Sequence, residues 1–294
     1  MKNKILLLGK TGQLGWELHR AMFTLGELVA LDYPQVDMAD PDSIHSVVEQ
    51  YTPNLIVNAT AYTAVNKAES EPELAMAING IGPGILAEEA LRLEAGLIHY
   101  STDYVFDGNK GEPYSEGDQP NPINVYGQTK LAGEHAVQEI GGAYLIFRTS
   151  WVYTLRQPCF VTKVLQWARE HETIRIVDDQ ISSPTWARNL AEATAQIIAQ
   201  GWKEPVAYFQ EKNGLYHLTG GGSCSRFDGA KSILEMDPHK EEQVVTELIP
   251  VASEMFPTPA LRPHNSTLSN QKFSETFNLI SGSYQKALSL MLTG

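Results

Sequence analysis

Ile5-Leu6-Leu7-Leu8-Gly9-Lys10-Thr11-Gly12-Gln13-Leu14-Gly15 decides the fold of this chain. The aliphatic run has no alternation, which marks a central parallel strand buried on both faces. Glycines spaced G-x-x-G-x-x-G follow at once. Leu14, Leu18, Ala21, Met22 and Leu25 then recur at helical spacing, and Gly26 stops the helix. The glycines permit a tight turn, let the backbone approach a pyrophosphate and allow close packing of helix on strand. The helix N-terminus offers free amides and partial positive charge to a phosphate.

The same alternation continues along the chain. Leu28–Leu31 reads as a strand ending at Asp32, and Asp42–Gln50 as a helix after Pro41. Leu55–Asn58 is a third strand. A long helix is expected over Glu73–Leu93, broken by Gly82-Pro83-Gly84. Leu97–Ser101 and Tyr144–Arg148 are strands flanking a helix over Tyr126–Ile140. Strands alternating with helices predict an α/β fold, a doubly wound parallel sheet of the Rossmann-like kind. Ligands bind beyond the carboxyl ends of such strands, where Gly9, Asp32, Asn58-Ala59 and Ser101-Thr102 all fall. After Trp151 the pattern loosens: Phe160–Glu170 and Ala187–Ala199 read as helices, Ile174–Val177 and Tyr216–Leu218 as strands. Residues 1–150 are expected to form a dinucleotide-binding domain. Residues 151–294 are expected to form mainly a smaller substrate-binding domain, with parts of 172–220 returning to the sheet.

Composition narrows the partners. The chain has 294 residues, 43% of them hydrophobic, and a formal net charge of -13. Nucleic acid and anionic membranes both require a basic face, so neither is an expected partner. Cys159 and Cys224 form no C-x-x-C pattern, so neither a disulfide scaffold nor a zinc site is expected. The opening apolar run is too short for a signal peptide, and no run approaches the roughly 20 residues of a membrane span. A cytoplasmic location is the expectation.

Gly9, Gly12, Gln13, Leu14 and Gly15 are therefore candidate cofactor contacts. The spacing differs from the commonest dinucleotide fingerprint, G-x-G-x-x-G, and it is not a phosphate loop of the G-x-x-x-x-G-K-S/T type. Asp32 sits where an acid can hydrogen-bond adenosine ribose hydroxyls, which favours NAD; a plain strand-end aspartate is the alternative. Lys10, beside the turn, can tolerate a 2′-phosphate, so both NADH and NADPH stay open. Asp37 and Met38 are placed to flank adenine. Ala59, Ala61, Tyr62 and Thr63 are placed to pass the ribose and pyrophosphate.

Tyr126-Gly127-Gln128-Thr129-Lys130 carries the chemistry. Tyrosine and lysine four residues apart share one helix face. A free phenol ionises at about pH 10, and an ammonium beside it favours the phenolate. A shift of about 3 units, at about 1.36 kcal/mol per unit, is worth about 4 kcal/mol. That would make Tyr126 a general acid near neutrality. A solvated lysine beside a half-buried ring is the alternative.

The chain resembles the extended short-chain dehydrogenase/reductases and, within them, the dTDP-4-dehydrorhamnose reductases. The matching stretches are the Gly9–Gly15 turn, Val57-Asn-Ala-Thr-Ala61, Lys67-Ala-Glu-Ser-Glu-Pro72, Tyr100-Ser-Thr-Asp-Tyr-Val-Phe106, Asn124-Val-Tyr-Gly-Gln-Thr-Lys-Leu-Ala-Gly-Glu134, Phe147-Arg-Thr-Ser-Trp-Val-Tyr153 and Pro257-Thr-Pro-Ala-Leu-Arg-Pro-His-Asn-Ser266. They span nearly the whole chain. The glycine turn and Tyr-x-x-x-Lys are superfamily-wide, whereas the Ser-Thr-Asp-Tyr-Val-Phe and Arg-Thr-Ser-Trp-Val-Tyr segments are much more specific. The resemblance implies NAD(P)H-dependent reduction of the C4 ketone of a dTDP-sugar, dTDP-4-dehydro-β-L-rhamnose. It assigns Thr102, Tyr126 and Lys130 to catalysis. Tyr126 gives a proton to the C4 oxygen, Lys130 holds the nicotinamide ribose, and Thr102 bonds the sugar oxygen or Tyr126. It assigns Asp103, Trp151 and Arg262 to the substrate, Arg262 at the diphosphate; a strand-end cap, an interdomain aromatic and a surface arginine are their alternatives. Some relatives hold Mg²⁺ between subunits through glutamates. Glu17 matches the first, but Arg188 stands at the second and no acid ends the chain, so no metal and a monomer or weak homodimer are expected. A nucleotide-sugar 4-epimerase, a 4,6-dehydratase and a non-catalytic regulatory subunit of the same fold remain as alternatives.

Overall fold

A computed structural model describes residues 3–294. Its centre is a six-stranded, all-parallel sheet. Strand β1 (Lys4–Leu8) lies between β2 (Glu27–Leu31) and β3 (Leu55–Asn58); β4 (Gly96–Thr102) and β5 (Ala143–Thr149) follow. Gly214–His217 closes the far edge against β5. The unbroken apolar run of β1 is explained by its two coverings. Ile5 and Leu7 pack with Leu18 and Met22 of helix α1 (Gln13–Met22) and with Ile197 and Ile198 of the helix Ala187–Gly201. Leu6 and Leu8 face the opposite side, among Ile44 and Val48 of α2 (Pro41–Tyr51) and Leu86. These four aliphatic side chains of β1 are completely buried, so both faces of the sheet draw on the hydrophobic effect.

The order reverses between β1 and β3, which opens the switch-point crevice at the carboxyl ends of the strands. Short helices α3 (Val65–Ala68) and α4 (Pro72–Met76) follow β3. The break expected at Gly82-Pro83-Gly84 is not a break. From Pro72 the helix runs through a π turn at Ala77–Ile81 into α5 (Gly82–Arg92), and the Gly82 amide donates to the Ala77 carbonyl. The wide turn lets the chain restart, so Pro83 falls in a first turn where its missing N–H is not needed.

Helix α6 (Val125–Ile140) connects β4 to β5. At its middle Glu134 accepts from Arg148 of β5 through Nε at 2.9 Å and Nη2 at 2.6 Å, and Ser101 of β4 also donates to it. All three residues are buried. The remaining sheets have two strands each: Thr173–Val177 with Glu247–Val251, Ile181–Ser182 with Cys224–Ser225, and Val152–Tyr153 with Thr185–Trp186. They border a separate apolar cluster that includes Val164, Ile176, Ile233 and Leu288. Cys159 and Cys224 are both buried and free. Among the described residues no helix is long and apolar enough to cross a membrane.

Candidate active site

The glycine turn is built by close approach. A Cβ on Gly15 would stand 1.8 Å from the Gly9 carbonyl oxygen, so α1 can leave the strand at this angle only with glycine there. The turn borders a cavity of about 320 Å³ that brings together Gly9, Gly12, Asp32, Asp37, Met38, Ala59 and Ala61. Asp32 is already tied to the turn: its Oδ2 accepts from the Thr11 amide at 2.8 Å and the Thr11 hydroxyl at 2.6 Å. Lys10 Nζ donates to Gln35 Oε1 at 3.1 Å. Gln13 faces a neighbouring cavity, and its Oε1 is buried without a hydrogen-bond partner. A glycine-walled cradle at a helix N-terminus with an orphaned polar atom beside it fits a dinucleotide.

Other expected cofactor residues fall elsewhere. Leu14 packs into the core beneath the sheet, as its place in the helical apolar stripe requires. Thr63 is exposed and lines none of these cavities; its carbonyl accepts from the Val65 amide at 2.9 Å as α3 starts. The Tyr62 backbone is held instead by Asn79 of the π turn, which accepts from the Tyr62 amide at 2.8 Å and donates to its carbonyl at 3.2 Å. Asn79 also donates to Thr129 of α6 at 3.2 Å. Nothing in the local sequence distinguishes Asn79, because its role depends on a turn without its own periodicity.

Helix α6 begins where Asn124 Oδ1 accepts from the Gly127 amide at 2.8 Å. Asn124 also donates to the Leu261 carbonyl at 2.7 Å, and the Val125 amide donates to Glu69 at 2.9 Å. A Cβ on Gly127 would stand 2.1 Å from the Tyr104 carbonyl oxygen, so glycine lets α6 press against the end of β4. Tyr126 is half-buried and meets Tyr104 edge-on, with centroids 5.9 Å apart. Lys130 is 1% exposed. Its Nζ donates to the Tyr100 carbonyl at 2.6 Å and lies 3.4 Å from His99 Nε2. Burial pulls the ammonium down to about 8, with Glu134 pulling the other way.

The phenol departs from the sequence expectation. Burial pushes Tyr126 up from its ordinary value; the Thr102 hydroxyl lowers it, while Asp103 and Tyr104 raise it further. The ammonium one turn along makes its shortest contact with Tyr100 on β4. The desolvation cost of a buried phenolate then dominates.

Thr102 accepts from the Tyr104 amide at 3.1 Å and donates to Asp103 Oδ1 at 3.1 Å. Asp103 is 2% exposed; its Oδ2 also accepts from Ser266 at 2.5 Å and Ser182 at 3.0 Å. Burial raises its carboxyl to about 6 despite these donors. Trp151 has φ +40°, a strained conformation for a bulky residue, and lines the Gln13 cavity of about 230 Å³. Arg262 donates to Thr258 at 2.8 Å, the Ala260 carbonyl at 2.6 Å and Asn66 at 2.9 Å, and lines neither cavity. The structure thus gathers Thr102, Asp103 and Tyr126 at the end of β4. Glu17 accepts from Arg20 at 3.1 Å, and Arg188 pairs with Glu192.

Comparison with known proteins places this geometry. The RmlD substrate binding domain family matches residues 2–294. The chain is 43% identical over 294 residues to the dTDP-4-dehydrorhamnose reductase of Escherichia coli K12, covering 98% of this chain and 96% of that one. It is 42% identical over 279 residues to the dTDP-4-dehydrorhamnose reductase of Burkholderia thailandensis, covering 94% and 93%. The crystal structure of the Bacillus anthracis dTDP-4-dehydrorhamnose reductase in complex with NADP superposes with a TM-score of 0.87 at 33% identity, covering 99% of both chains. The chain belongs to the dTDP-4-dehydrorhamnose reductase family.

Proposed function

We propose that this chain reduces the C4 ketone of dTDP-4-dehydro-β-L-rhamnose to the hydroxyl of dTDP-β-L-rhamnose, the last step in making the activated sugar, with NADPH or NADH. The carrying observation is the juxtaposition of Tyr126 with Thr102 and Asp103 at the end of β4, in a chain similar over its length to reductases of that name. Gly9, Gly12, Asp32, Asp37, Met38, Ala59 and Ala61 would hold the dinucleotide along the switch point, with Gln13 toward its nicotinamide end. Asp32 favours a free ribose, and Lys10 beside it allows a 2′-phosphate. When bound, the reduced nicotinamide supplies hydride to C4.

The remaining chemistry belongs to the chain. Because burial raises its phenol, Tyr126 keeps its proton throughout the neutral range. It donates that proton to the C4 oxygen only as negative charge develops there. Thr102 holds the same oxygen in line, and Asp103 accepts from sugar hydroxyls. Lys130, charged below about 8, holds the nicotinamide ribose and steadies the tyrosinate left behind. Trp151 packs on the sugar from the side of residues 151–294, the substrate-binding part of the chain. A monomer or weak homodimer in the cytoplasm, without a nucleic-acid partner, suits a net charge of -13.

The test follows loss of reduced-nicotinamide absorbance with dTDP-4-keto-6-deoxyhexose. Tyr126→Phe is expected to lower kcat by about 10²- to 10⁴-fold while leaving NADPH affinity intact. Equal rates for variant and wild type remove Tyr126 from the mechanism. Turnover of the sugar without net cofactor consumption favours an epimerase or dehydratase instead.

A further inference from the structure

Arg226 opens the helix Arg226–Met236 and is half-buried in the cavity that holds Gln13 and Trp151. Its guanidinium lies over the Trp151 ring, with Cζ 4.3 Å from the centroid, and over Phe160 at 5.4 Å. Its Nε donates to Gln180 at 2.9 Å, which fixes the plane of the fork. Arg226 takes part in none of the ion pairs among the described residues. In a chain with 35 acidic and 22 basic residues, a half-buried cation without a counter-charge points to an anionic ligand. Tyr104 links it to the reacting end of the site. Burial raises the Tyr104 phenol and the Arg226 guanidinium pulls it back down; the Tyr104 ring meets Tyr126 edge-on.

We propose that Arg226 binds the diphosphate of the sugar nucleotide and thereby aims the C4 ketone at Tyr126. The inference rests on the reading of this chain as a sugar-nucleotide reductase. The chemistry suits it: a planar fork held over aromatic rings is pre-organised for bidentate phosphate binding. The cofactor's pyrophosphate is the other available diphosphate, since Gln13 of the glycine turn lines the same cavity.

The test measures dTDP binding to the NADP⁺-loaded protein by calorimetry, beside steady-state kinetics, for wild type, Arg226→Gln and Arg226→Lys. Arg226→Gln is expected to weaken dTDP, and to raise the KM of the keto-sugar, by about 10- to 100-fold. The KM for NADPH is expected to change by less than about twofold, because the cation serves the other ligand. Arg226→Lys, which keeps the charge and loses the fork, is expected to fall between the two and also covers a failure of the glutamine variant to fold. Unchanged dTDP affinity in Arg226→Gln overturns the proposal, and so does a rise in NADPH KM with dTDP affinity intact. Arg226-dependent dTDP binding in a wild type that consumes no NADPH would leave this inference standing and sink the reductase reading.

Discussion

At Lys130 the chain buries an ammonium whose shortest contact is a backbone carbonyl, and this has opposite consequences for stability and activity. Burial lowers its pKa from 10.5 to about 8. Between those values the unfolded chain holds more protons than the folded one, so stability should rise as pH climbs through the window. Activity should fall across about pH 8, because the charge that holds the ribose is lost. A pH profile of kcat/KM beside denaturant melts at each pH checks both trends; curves that move in parallel would separate Lys130 from the chemistry. The pairing of Tyr126 with Lys130 is legible in sequence because four residues are one helical turn. The direction of the ammonium is not, because Tyr100 and His99 lie on another element and meet Lys130 only when α6 packs on β4.

Helix α6 is positioned at its first turn by Asn124, which both caps the helix and grips the Leu261 carbonyl. Replacing Asn124 with alanine should cost about 1 kcal/mol for the cap, with more for the lost hydrogen bond to the Leu261 carbonyl. Because Tyr126 and Lys130 ride on that helix, kcat/KM should fall as well. Thermal melts and kinetics on one preparation measure both, and full activity in a destabilised Asn124→Ala would show that the cap does not set the site. Most elements could be read from the sequence, since apolar alternation and glycine stops survive without knowledge of packing. The π turn could not, because Gly82-Pro83 announces a break and only the Gly82 amide on the Ala77 carbonyl shows continuity.

Across the whole molecule, Glu134, Arg148 and Ser101 lock helix, sheet and site into one piece. Arg148 and Glu134 are 3% and 1% exposed. Removing either charge alone, in Glu134→Leu or Arg148→Met, should cost about 3–5 kcal/mol, whereas the two substitutions together should recover much of it. A double-mutant cycle by urea unfolding decides this, and additive single costs would mean the charges do not interact. The sheet class follows from the first strand and the alternation. The clasp does not, because its partners are recognisable only after β4, α6 and β5 are superimposed.

The last strand to join the central sheet, Gly214–His217, is made long after its neighbour β5, with the first of the small paired strands in between. A ribosome that has produced residues 1–150 has therefore exported a blade with one unfinished edge, on which Leu145, Ile146 and Phe147 offer unsatisfied amides and carbonyls. Such a fragment should stick to its own kind rather than bind nucleotide. Size-exclusion chromatography of residues 1–150 should show multimers or precipitate, and a well-behaved single species would mean the edge can protect itself without the returning strand.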